Sequence, residues 1–235
     1  MNGAMSWDGN WTALATRKGE IFLFTAAGSA TPIHWASRGK AVLMRFLPNG
    51  SLLVDRTIWQ LTPAPHPVAQ LATDFDVISE IAVNARGDRL AAANADTTVR
   101  VYDTASWKPV FVNRDLLMEP FGIAFTPDGS RLVIGGADYR LTILDALSGK
   151  RIAALPPFRN AYISNLKSTN NDDWFAVELS STATADPIGW RFVNLKSGRQ
   201  EPVCAKGERV RFAGAQPWCF DARRQTLEPA GEPSP

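Results

Sequence analysis

Turn-forming residues recur along this chain at a nearly fixed distance. Gly9, Gly50, Gly87, Gly129 and Asn171 each sit in a short turn-like cluster, at spacings of 41, 37, 42 and 42 residues. The segment "FTPDGSRLVIGGADYRLTILDALSGK" (125–150) lies on "VNARGDRLAAANADTTVRVYDTASWK" (83–108) without a gap, placing Gly129 on Gly87, Asp138 on Asp96 and Asp145 on Asp103. A tight turn between antiparallel strands needs a residue that tolerates positive φ, which glycine does freely and asparagine better than most. The pattern predicts Asn171 as the equivalent of those glycines.

Between turns the chain carries four short β-prone runs. In the fourth unit they cover 121–126, 131–136, 140–145 and 151–155, each of ordinary strand length. Four short strands repeated about every forty residues are the signature of a β-propeller blade. The expected fold is all-β, a propeller of about five to six four-stranded blades, irregular or incompletely closed. The units fall at 1–38, 39–75, 76–117, 118–160 and 161–205, with a partial unit at 206–225 and a Pro-rich tail over 226–235 expected to be disordered. The opening "MNGAMSWDGN" has no secretory leader pattern and reads as a chain that starts inside a repeat, as a piece of a longer protein or a subunit completed by a partner.

With these features in view the chain resembles the WD40 family, over roughly residues 1–205 and most clearly over 78–155. Asp96 and Asp138 stand where the family has a bracing aspartate in the turn between its second and third strands. Asp103 and Asp145 stand where the Trp-Asp dipeptide would end the third strand. No unit has the Gly-His pair, since the two histidines are His34 and His66, so the family's hydrogen-bonded tetrad is incomplete in every blade. The divergent, Ala-rich repeats are also similar to propellers appended to bacterial kinases and NTPases. What the resemblance implies is a binding module without catalysis.

Composition narrows function by exclusion. Lys and Arg exceed Asp and Glu by only 25 to 23, a net charge of +2, without the basic stripe of a nucleic-acid binder. The longest uncharged stretch, Leu61 to Thr73, is broken by Pro63, Pro65 and Pro67 and does not make a membrane span. With two histidines and no nucleophile, zincin, P-loop or dinucleotide motif, neither an enzyme nor a cofactor is expected. Cys204 and Cys219 either bridge neighbouring strands outside the cytosol or remain two thiols. Without a nearby histidine they offer too few ligands for zinc, and no metal is expected. The chain is expected in the cytoplasm, or outside it if those cysteines pair.

In a propeller, two sets of loops project from one face around the central channel. On this chain that face collects Arg17, Trp35, Arg38, Arg56, Phe75, Phe121, Tyr139, Arg140 and Arg159. Arginine mixed with aromatic residues is the composition of protein-interface hot spots; Phe75 and Phe121 serve equally as plugs between blades. The fifth unit adds seven residues around "SSTATADPIG" (180–189), since Asn194 matches Asp145 at an offset of 49 rather than 42. Read as a long loop carrying Thr184 and Asp186, it is a further docking candidate. The expected partner is another protein or other domains of a larger assembly. A ligand- or metal-binding propeller of the lactonase kind and a blade set completing another chain's ring are the alternatives.

Overall fold

A short apolar strand between two tight turns pairs most readily with the strands next to it in sequence. Every sheet in this chain is such an antiparallel meander. The computed structural model describes residues 2–6, 8–16, 18–26, 33–36, 43–73, 77–205, 208–213, 215–231 and 233. The first blade is β1 (Asn2–Met5), β2 (Trp11–Ala15), β3 (Glu20–Thr25) and β4 (Ile33–Ala36). The second is β5 (Met44–Phe46), β6 (Leu52–Val54), β7 (Thr57–Gln60) and β8 (His66–Gln70). The third is β9 (Ile78–Val83), β10 (Arg89–Asn94), β11 (Val99–Asp103) and β12 (Pro109–Asn113). The fourth is β13 (Pro120–Phe125), β14 (Arg131–Gly136), β15 (Leu141–Asp145) and β16 (Arg151–Ala154). The fifth is β17 (Ala161–Ser168), β18 (Trp174–Ser181), β19 (Pro187–Asn194) and β20 (Gln200–Pro202). The sixth has three strands, β21 (Arg209–Ala213), β22 (Gln216–Asp221) and β23 (Thr226–Pro229). No helix occurs among the described residues. The architecture is a β-propeller.

The repeated glycines do what their spacing predicts. Gly9, Gly50, Gly87 and Gly129 hold φ of 71, 80, 73 and 74°, and each N–H closes a turn onto the carbonyl three residues earlier. Asn171 departs from the expectation: it is not among the residues with positive φ. Its side-chain Oδ1 instead accepts from the N–H of Asp173 at 2.8 Å, while its own N–H donates to Thr169 Oγ1 at 3.1 Å. Asparagine serves here through its acceptor, which mimics a backbone turn, and not through left-handed tolerance.

Cores form between consecutive blades. One cluster joins Ala13, Ile21 and Leu23 of the first blade to Phe46, Leu52 and Val54 of the second. Equivalent clusters join the second blade to the third, the third to the fourth, the fourth to the fifth and the fifth to the sixth. The second strand of a blade is thereby covered on both faces, so β10 reads "RLAAAN" and β14 "RLVIGG", continuous and small instead of alternating. Among the described residues no core cluster joins the sixth blade to the first, and the ring is not strongly closed.

Two further sequence expectations change. Thr226–Pro229, assigned above to the tail, forms β23 with Cys219 opposite Glu228 and Phe220 opposite Leu227. Pro229 ends an exposed edge strand, where a missing N–H is tolerated. The seven added residues of the fifth unit are absorbed into a hairpin rather than a long loop. Strands β18 and β19 each run eight residues against six and five in the fourth blade, and only 182–186 connect them. Pro187 is accommodated as the first residue of its strand. Gly135 and Gly136 relieve crowding against neighbours outside their turn. A Cβ at Gly136 would lie 2.2 Å from the Glu119 carbonyl oxygen, and one at Gly135 2.6 Å from Ile163 of the fifth blade.

Candidate functional site

On the face where the innermost strands β9, β13 and β17 begin, the connection leading into β13 meets the turns between the second and third strands of the fourth and fifth blades. They enclose an open groove of about 650 Å³. Its floor and walls are Phe121 and Tyr162, from β13 and β17, with Met118 and Tyr139 from the connections beside them. Phe121 and Tyr162 meet edge to face at 5.9 Å. Hydroxyls from Ser79, Ser164, Ser181 and Thr182 and the carboxylate of Glu80 supply the polar rim.

Tyr139 dominates this groove. It is 43% exposed, and its φ is 66°, a conformation that side-chain-bearing residues seldom adopt. The backbone is held from both sides. Tyr139 N–H donates to Gly136 O at 3.3 Å, and Phe158 N–H donates to Tyr139 O at 2.6 Å. The same turn position is left-handed in other blades, at Gly19, Asp55, Thr97 and Ala185. The turn geometry is thus general, and placing an exposed aromatic there belongs to the fourth blade.

The two bracing aspartates behave differently. The Asp96 side chain is only 2% exposed and accepts from Arg100 at 2.9 Å, from the Thr98 N–H at 2.9 Å and from the Thr98 hydroxyl. Arg100, on β11 and itself 4% exposed, is the charged partner of that carboxylate. Asp138 accepts one long bond, 3.4 Å from the Arg140 N–H. Burial raises its carboxyl above the usual aspartate range, opposed only in part by that N–H and the Arg140 charge. Glu178 on β18 is raised by burial in the same way, against hydrogen bonds from Trp190 and Ser164.

Asp103 accepts from the Arg89 guanidinium at 2.9 Å across the ladder, and both Asp103 and Asp145 serve the turn that follows them. Each caps the following turn by accepting on Oδ1 from the N–H and hydroxyl of a serine three residues on, Ser106 at 2.9 and 2.7 Å and Ser148 at 2.7 and 2.6 Å. These serine bonds hold both carboxyls below the ordinary value. Asn194 repeats the motif with Ser197. The recurring serine in "DTAS", "DALS" and "NLKS" was the available signal.

Of the residues proposed from sequence, Phe121 and Tyr139 line the groove. Thr184 and Asp186 are exposed on the tip of the fifth-blade hairpin, whose Ala185 lines it. Arg140 neighbours Tyr139, and Arg159 is exposed in the connection whose Asn160 carbonyl accepts from Thr182 N–H at 3.2 Å. Arg56 belongs to the second blade and is not part of the groove; with the Gln70 amide oxygen turned toward it, it donates there at 3.2 and 3.3 Å. Arg17, Arg38 and Phe75 lie outside the described residues. Trp35 sits in the outermost strand β4 opposite Ile21, and its side chain is outside the description. Sequence reasoning missed Met118 and Tyr162. Met118 was signalled by an apolar "LLM" run in a connection, and Tyr162 by its place at the start of the fifth unit's first strand.

Cys204 and Cys219 are joined by a disulfide. No helix among the described residues is long and apolar enough to cross a membrane. His66 is exposed with Nδ1 2.9 Å from the Ala64 carbonyl. No protein-family model matches the chain. The chain is similar to THO complex subunit 3 of Arabidopsis thaliana, 30% identical over 117 residues that cover 48% of this chain and 35% of that protein. The matched stretch thus spans about a third of the curated relative's length. Together with six consecutive antiparallel blades, this similarity supports a WD40-like propeller.

Proposed function

We propose that the chain is a non-catalytic scaffold module that docks a protein partner through the groove over its third to fifth blades. The observation that carries this reading is Tyr139, an exposed aromatic fixed in a left-handed turn between Phe158 and Gly136, beside Met118 and the Phe121–Tyr162 pair. An anchor that is already rigid loses little conformational freedom on binding. Tyrosine and other aromatics dominate the energetics of protein interfaces. Similarity to a subunit of a protein complex supports a complex as the setting. The polar rim is suited to fixing the register of a bound peptide segment around an apolar side chain in the groove.

The test is isolation of the chain from its own cell, with identification of whatever accompanies it by native mass spectrometry. A stoichiometric protein companion is expected from the parent and lost from Phe121→Ala and Tyr139→Gly. A companion retained equally by both variants would move the interface elsewhere. A monomer carrying a small molecule would replace this reading with a ligand-binding propeller.

A further inference from the structure

The link from the fifth blade to the sixth carries a second cluster, remote in chemistry from the groove. Cys204 follows β20, Cys219 lies in the middle strand β22, and their Cα atoms are 5.6 Å apart. Both are only part-buried and face an open depression of about 330 Å³. Glu208, Glu228 and Asp221 line the same depression. The two sulfurs and a Glu208 carboxylate oxygen all lie within 4.8 Å of one another. The Ala205 N–H donates to Glu208 Oε2 at 2.9 Å and fixes that carboxylate beside them. Glu228 is directly opposite Cys219 in the ladder, so both project from one face of the sheet.

We propose that this disulfide is one state of a two-state site, and that after reduction the thiolates of Cys204 and Cys219, with the carboxylate of Glu208, bind a thiophilic divalent cation of the Zn²⁺ class. Two cysteines alone are too few ligands, but the fold adds a fixed carboxylate as the third, Glu228 projects from the same face, and a water can complete the tetrahedron. A tetrahedral ion with Zn–S of about 2.3 Å sets its sulfurs roughly 3.7 Å apart. Side-chain rotation from the present Cα separation suffices for that. Arg224, the cation bordering the depression, is 3.6 Å from Asp221 and balanced by it. The step balances with a dithiol as reductant. Its thiolate attacks one sulfur, the S–S bond breaks, two electrons and two protons pass to the protein, and the reductant is left as its own disulfide. Metal binding then releases the two thiol protons. The ion would replace the covalent bond as the clasp between blades.

The experiment reduces the whole chain with a phosphine, removes the excess without air and titrates Co²⁺. Expected are one equivalent bound, a sulfur-to-cobalt charge-transfer band with the visible bands of a tetrahedral ion, and displacement by Zn²⁺. The oxidised protein should show none of these, Cys204→Ser and Cys219→Ser should abolish the band, and Glu208→Gln should weaken affinity at least tenfold while keeping it. Binding that is equal in oxidised protein, unchanged in the cysteine variants or indifferent to Glu208→Gln overturns the proposal. So does a reduced chain that loses its β-sheet circular dichroism, since the site needs the sixth blade folded.

Discussion

The third and fourth blades share a register without gaps, yet their second turns do opposite things around the same aspartate. In the third, Asp96 is sealed under Arg100 and Thr98, Thr97 takes the left-handed position, and Asn94 ends β10 with an amide that donates to the Thr98 carbonyl at 3.2 Å. In the fourth, Asp138 is half-buried with one long partner, Tyr139 takes the left-handed position, and Gly136 replaces the amide because the Glu119 carbonyl occupies that space. One turn is built for rigidity and the other exposes an aromatic at the groove. A repeat thus divides labour by changing side chains, five of the seven between Asn94–Arg100 and Gly136–Thr142, around a shared aspartate and a shared left-handed position.

The comparison breaks most visibly at the buried pair. Arg100→Leu strands a carboxylate that is almost fully enclosed, and should cost about 3–5 kcal/mol in urea unfolding. Asp138→Asn should cost less than about 1 kcal/mol, because its charge is half in water and poorly partnered. Equal losses would mean the two turns are not different in kind. Next in size is Gly136→Ala. Its methyl would meet the Glu119 carbonyl oxygen, and the backbone shift should cost about 1–3 kcal/mol with the thermal midpoint lowered accordingly.

A finer test separates fold from function. Left-handed φ is costly for any residue with a side chain, so Thr97→Gly and Tyr139→Gly should each leave stability unchanged or raise it by up to about 1 kcal/mol. Only Tyr139→Gly should lose the partner, by more than tenfold in Kd measured by calorimetry. Loss from both variants would make backbone rigidity, not the aromatic ring, the determinant.

The smallest effect is on pH. The folded value of Asp138 is raised, so its contribution is present below the ordinary aspartate value and fades as pH rises through the folded one. Asp128 has the opposite sign. Burial pushes it up, but bonds from the Thr126 and Ser130 hydroxyls and the Ser130 N–H outweigh this and hold it at about 2. Its contribution is present above the ordinary value and lost as pH falls through about 2. Comparing Asp138→Asn and Asp128→Asn from pH 2 to 7 should remove slopes of opposite sign.

Backbone demands were the most legible part of this chain. Glycine at a positive-φ turn and a run of small residues in a strand covered twice both leave marks on composition, and the strands of the fourth blade fall within one residue of the expected bounds. Side-chain bargains were not legible. Asn171 looks like a glycine substitute until its Oδ1 is seen to accept a backbone N–H. "SSTATADPIG" has loop composition, yet cross-strand pairing from Leu179 to Gly189 carries it into a hairpin. Arg56 fits an interface by type, yet it donates to the Gln70 amide oxygen of its own blade and lies away from the groove. The groove itself was half visible, since Phe121 and Tyr139 were found by loop position but Tyr162 needed the neighbouring blade to reveal its role.

Because each blade leans on its sequence neighbours, mechanical load passes along the chain like tension through a row of stitches. Among the described residues the sixth blade has a core against the fifth alone, so a pull applied there meets one seam. The Cys204–Cys219 bond lies across that seam. It works as a lockstitch, a bond that must be cut before that seam can open.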